Sequence, residues 1–187
     1  IKNTTAISLM ILMATILFYL TCIFGVNLYF YKFEYLDVPN TWHQLITYLF
    51  VAIFLWIITK FEVAVSLIVR LLMIAGCIGM YVLSTQYVIT LRNGVLSNLY
   101  PAIQLWAHWL ASSFLLYLIY QAILFYRKNN SLFAQSGRIF IWLVNIVLLI
   151  FFSIESMHAY VYFTTPLQNS SISLQQYSKA GLTIVWA

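Results

Sequence analysis

Ala6 to Phe30 reads AISLMILMATILFYLTCIFGVNLYF, an apolar run without one charged residue. At 1.5 Å per residue such a stretch, coiled as a helix, crosses the roughly 30 Å of hydrocarbon in a bilayer. It is too long for the core of a signal peptide and lacks a small-residue cleavage site in the usual place, so it reads as a true span. Tyr29, Tyr31 and Tyr35 crowd its end beside Lys32, Glu34 and Asp37, the pattern of an aromatic belt meeting a polar loop.

The rest of the chain repeats this theme. Hydrophobic residues make up 64% of the 187 residues and charged residues only 7%, whereas about a quarter of an ordinary soluble domain is charged. A fold of this composition has too few polar groups to cover a surface in water. The sequence therefore predicts an all-α, polytopic transmembrane helical bundle. Its spans fall at about 6–30, 42–59, 67–91, 101–126 and 138–163. A sixth begins near Lys179 and is cut off at Ala187, so residues 1–187 read as one transmembrane segment of a longer chain.

Punctuation between the runs sets these limits. Pro39-Asn40-Thr41 closes one loop and offers a cap, Lys60-Phe61-Glu62 marks an exit, and Arg92-Asn93-Gly94 is expected to end the third helix. Pro101 suits the first turn of the fourth span, Arg127-Lys128-Asn129-Asn130 forms a solvated loop, and Ser178 can cap the truncated sixth. Arg70 interrupts the third run and is assigned to the interface, its guanidinium snorkelling to the headgroups while the hydrocarbon crossing covers about Leu71 to Thr90.

The formal charge of +5 does not indicate nucleic acid, because the nine basic residues are scattered singly or in pairs. Topology accounts for them instead. Lys2, Lys60, Arg70, Arg127, Lys128 and Arg138 fall on one side of the membrane and Lys32, Arg92 and Lys179 on the other. Cytoplasmic loops hold the excess of Lys and Arg, which places the N-terminus of this segment in the cytoplasm. Cys22 and Cys77 lie inside predicted spans, as small buried apolar residues rather than parts of a disulfide or zinc framework.

Candidate site residues are the ionisable groups that the spans carry away from water, since a charge at mid-bilayer costs at least about 2.5 kcal/mol. Glu155 and His158 lie one turn apart on the same face of the fifth span, and His108 lies at similar outer depth in the fourth. A short loop joins these two spans, so they are expected to be antiparallel neighbours and His108, Glu155 and His158 to form a polar cluster. It reads either as a proton relay or ligand site open to the outside, or as a tie between helices. Asn145, Gln104 and Gln121 are amides of the kind that hydrogen-bond across helices. Glu155-x-x-His158 matches the spacing of di-iron bundles, but those need a second such pair and two more carboxylates, so no metal site is expected. No phosphate loop, dinucleotide fingerprint or nucleophile elbow occurs, and no cofactor is implied.

At the C-terminal end, Tyr177-Ser178-Lys179-Ala180-Gly181-Leu182-Thr183-Ile184-Val185-Trp186-Ala187 resembles the start of a helix in a large family of uncharacterised bacterial multi-pass membrane proteins, a domain of unknown function. The fifth span, from Trp142 through Glu155 and His158, is broadly similar to the preceding helix of that family. The resemblance implies a bacterial cytoplasmic membrane and many further spans, and it supplies no reaction, cofactor or catalytic residue. The partners it implies are the lipid bilayer and other transmembrane helices of the same longer chain. Three activities fit these readings: transport of a small solute or envelope component, an enzyme acting on lipid-linked envelope material with His108 or His158 as base, and a structural membrane subunit.

Overall fold

The computed structural model describes residues 2–32, 39–60, 65–129 and 137–164. Among these, all regular structure is helical: α1 (Lys2–Lys32), α2 (Pro39–Lys60), α3 (Leu67–Leu96), α4 (Ile103–Lys128) and α5 (Gly137–Thr164). Four of them, α2 to α5, are long and apolar enough to cross a membrane, which marks the chain as a membrane protein. Within α1, the side chains that are described give a shorter apolar stretch, Met13–Leu28. The sequence leads to an expectation of five full spans, and four are shown among the described residues. The loop at 33–38, the polar segment after Thr164 and the truncated sixth span lie outside the described residues.

Helices are forced here by composition. In hydrocarbon a backbone N–H or C=O finds no water, so each must be satisfied within its own helix. Side chains then only decide which stripe faces protein. On α2 the buried positions include Gln44, Tyr48, Val51, Leu55 and Ile58; on α4 they include His108, Ala111, Leu115, Leu118, Ala122 and Phe125. On α3 they run Ile74, Cys77, Tyr81, Ser84, Val88, Leu91 and Val95. Steps alternating between three and four residues keep one narrow stripe on one side of a helix, the pattern of helices packed side by side at a shallow angle. The remaining faces carry large apolar groups outward, among them Phe18, Phe24, Leu83, Ile139, Trp142 and Phe163. So many exposed apolar side chains are a liability in water and an ordinary outer surface in lipid.

The described chain forms two compact units. The first takes in α1, α2, α3 as far as Val82, and α4 from Trp106 to Phe125; the second takes in α3 from Leu83, the turn that follows it, the first residues of α4, and α5.

In the first unit α1 packs along α2, and Tyr19 makes both a hydrogen bond and a ring contact across the pair. Tyr19 shares a 2.9 Å hydrogen bond with Thr47 through its hydroxyl, and its ring lies 4.7 Å from that of Phe50. At the start of α3, Arg70 Nε donates to the Val65 carbonyl at 3.2 Å and the guanidinium stands 5.5 Å from the centre of the Phe125 ring. The residue assigned to the interface thus folds back on the start of its own helix and covers an aromatic face. Ala107 and Ala111, small residues one turn apart on α4, are buried, which allows close approach of a neighbour.

In the second unit the end of α3 departs from the expectation. Arg92-Asn93-Gly94 does not terminate the helix, which continues to Leu96. The stop is made further on, by Asn98 in the left-handed conformation at φ 59°. Leu99 N–H donates to the Gly94 carbonyl at 2.8 Å and Asn98 N–H to the Val95 carbonyl at 3.1 Å, the paired bonds of a Schellman motif. Asn tolerates this conformation where a branched residue does not. Gly94 serves a different purpose: a Cβ there would overlap the Tyr100 ring, which folds back over the last turn. The chain then enters α4 through short turns, Gln104 N–H to the Pro101 carbonyl and Leu105 N–H to that of Ala102. Pro101 therefore stands just before the helix rather than in its first turn.

Two substitutions separate these roles. Asn98→Gly should leave thermal stability in detergent unchanged, whereas Asn98→Val should lower it by about 1–2 kcal/mol, the cost of left-handed backbone for a side chain that cannot adopt it easily.

Candidate functional site

Because α3 runs past its expected end, Arg92 lies on a helix inside the protein, only 2% exposed. Its neighbours Leu91 and Val95 belong to the buried stripe of α3, and the guanidinium points from that stripe to α5. Asn93 Oδ1 accepts from Arg92 Nε at 3.3 Å and from Nη2 at 3.0 Å, which fixes the plane of the guanidinium from its own helix. Nη1 then donates to His158 Nδ1 at 3.4 Å, across 66 residues of sequence.

That last contact favours one tautomer. A guanidinium has only donors, so Nδ1 must accept with a free lone pair and the ring proton belongs on Nε2. His158 is fully buried, on the face of α5 that also buries Phe151, Met157 and Val161. Glu155 stands one turn before it and is half-buried. Among the described residues no carboxylate forms an ion pair with Arg92; its partners are Asn93 and His158. Burying a cation is costly unless polar groups hold it, and here Asn93 and His158 do so. With an imidazole beside the guanidinium and a carboxyl group a turn away, the arrangement has the groups to hold an anion or to pass a proton.

His108 sits in the first unit and is described there alone. It is 1% exposed, its ring stacks on Tyr81 with centroids 6.4 Å apart, and it shares a 3.5 Å hydrogen bond with Ser112 in which either group can donate. Thr41, Gln44 and Tyr48 form a buried polar edge on α2 in the same unit. The amide nitrogen of Gln44 is buried without a hydrogen-bond partner among the described residues, and so is Nε2 of His43.

Of the residues singled out from sequence, His108 therefore belongs to one unit and Glu155 and His158 to the other. Gln104 is buried, Gln121 is half-buried and Asn145 is exposed on α5. Among the described residues no three His, Cys, Asp or Glu side chains gather at a metal-binding distance. The residue missed was Arg92, hidden because Arg-Asn-Gly looks like a turn. The signal that would have found it is Asn98, a second and better left-handed position six residues on.

Comparison with protein-family models, with curated proteins and with solved structures gave no match, so the likeness of the C-terminal stretch to a bacterial membrane-protein family rests on its residues alone.

A double-mutant cycle of Arg92→Gln and His158→Phe, followed by thermal unfolding in detergent, should give a coupling of about 0.6 kcal/mol, and not above about 1.7, as interhelical hydrogen bonds in membrane proteins do. Additive losses would mean that the two side chains do not interact.

Proposed function

We propose that this chain is an integral membrane protein that transports a small solute, and that the centre formed by Arg92, His158 and Glu155 lies on its path. In this reading α1 is a fifth span, the bilayer and further helices of a longer chain are the partners, and the setting is a bacterial cytoplasmic membrane with the N-terminus of the segment inside. His108 is retained as a second candidate residue in the first unit.

The observation that carries the reading is the buried Arg92 guanidinium donating to a buried histidine on another helix. Ionisable groups within membrane helices are rare, face the protein interior or a water-filled cavity, and mark solute and proton pathways. A purely structural tie does not require a full charge, since neutral amides and hydroxyls join membrane helices at lower desolvation cost. The setting also suits transport: α3 and α5 are longer than the hydrocarbon is thick, so groups near their ends lie within reach of the surface. With the orientation inferred from Lys and Arg, that surface is the outer one.

Flux into proteoliposomes carrying the full chain tests this directly, with acetate, inorganic phosphate, glycerol and potassium as separate probes and a trapped pH indicator to follow protons. At least one probe should move in a protein-dependent way. Arg92→Gln should slow it roughly tenfold, the loss expected for one charge-assisted hydrogen bond to the solute. Equal flux in wild type and variant would contradict the assignment, and a flux-free protein whose stability alone falls would make the centre a structural tie.

A further inference from the structure

In the first unit α2 and α4 leave a furrow between them of about 390 Å³. Its walls are Leu49, Ile53 and Trp56 from α2 and Leu110, Phe114 and Tyr117 from α4, with the small residues Ala52 and Ser113 between. The spacing explains the shape. The larger residues rise as two ridges along neighbouring helices, and small side chains leave the space between them unfilled.

The furrow offers almost nothing polar. The Ser113 hydroxyl donates to the Trp109 carbonyl of its own helix at 2.9 Å, so it is already committed. Sites for soluble small molecules carry a few converging polar groups that orient the ligand, and here the lining is apolar apart from the Ser113 hydroxyl and the polar tips of Trp56 and Tyr117. At one end, however, it is charged. Lys60 stands with Nζ 4.6 Å from the centre of the Trp56 ring, one turn beyond the last wall residue of α2. Trp56 is exposed at that end, as aromatic residues are where hydrocarbon gives way to headgroups.

We infer that this furrow is a binding site for a phospholipid with an anionic headgroup: one acyl chain lies between α2 and α4, and the phosphate meets Lys60 above Trp56. Both helices are long and apolar enough to cross a membrane, so the furrow opens onto acyl chains. The charge at its end selects among the lipids that bring them. A lysine near the membrane surface favours an anionic lipid by roughly fivefold over a neutral one. Stacking over Trp56 holds the ammonium where the headgroup emerges from the furrow.

Tryptophan fluorescence tests the assignment. The full chain is placed in phosphatidylcholine nanodiscs doped with brominated phosphatidylglycerol or, at the same mole fraction, brominated phosphatidylcholine. The quenching that disappears in Trp56→Phe is the share due to Trp56. That share should be severalfold larger for brominated phosphatidylglycerol, and Lys60→Gln, a change at an exposed residue, should bring the two lipids to equality. Equal quenching by both lipids in the wild type would overturn the headgroup pairing. Trp56 shielded from both would mean that protein covers the furrow, whether a second copy or another helix, and would overturn the site. Should Trp56→Phe not fold, wild type against Lys60→Gln reads the same preference in total quenching.

Discussion

Hydrocarbon holds no water, and each part of this structure answers to that constraint. Backbone groups without water must bond to one another, so the apolar runs become long helices. Side chains facing lipid gain nothing by leaving it for another apolar surface, which is why so much of α5 remains uncovered while only narrow stripes of α2, α3 and α4 are buried. Charge becomes expensive, and a cation that remains inside carries information that the same residue on a soluble surface would not.

Arg92 is that cation. Its position depends on a backbone detail six residues away: Asn98 accepts the left-handed conformation, the turn closes there, and the last turn of α3 carries Arg92 into the protein beside His158. Had the helix ended at Gly94, the arginine would have been one more solvated loop residue. Asn93 completes the geometry by holding two nitrogens of the guanidinium, leaving Nη1 to reach α5. A local turn, a capping residue and a buried charge are thus one linked feature.

How much of this is legible in the sequence differs from level to level. Helix type and approximate position follow from hydropathy and length, because nothing in a membrane competes with the helix once an apolar run is long enough. The packing faces of α2 and α4 are harder to read, since nearly every position is apolar and burial does not stand out; the buried polar residues Gln44, Gln104, His108 and Ser112 mark them better than any leucine does. The end of α3 is misread because Asn-Gly and Asn-Leu both allow a left-handed residue, and choosing between them depends on Tyr100 folding back over Gly94. Glu155 and His158 stand out as ionisable residues in an apolar run, but a partner 66 residues away is a property of the fold.

The central claim is that Arg92 lies inside the membrane protein, bonded to His158, and not in an outer loop. Solid-state NMR of the full chain in lipid bilayers, with arginine and histidine labelled with ¹⁵N, measures this most directly. The account predicts a through-space correlation between Arg92 Nη1 and His158 Nδ1 that vanishes in Arg92→Gln, with His158 Nδ1 resonating as an unprotonated acceptor. An Arg92 side chain that exchanges its protons with water as freely as a loop arginine, with no correlation to His158, would contradict it.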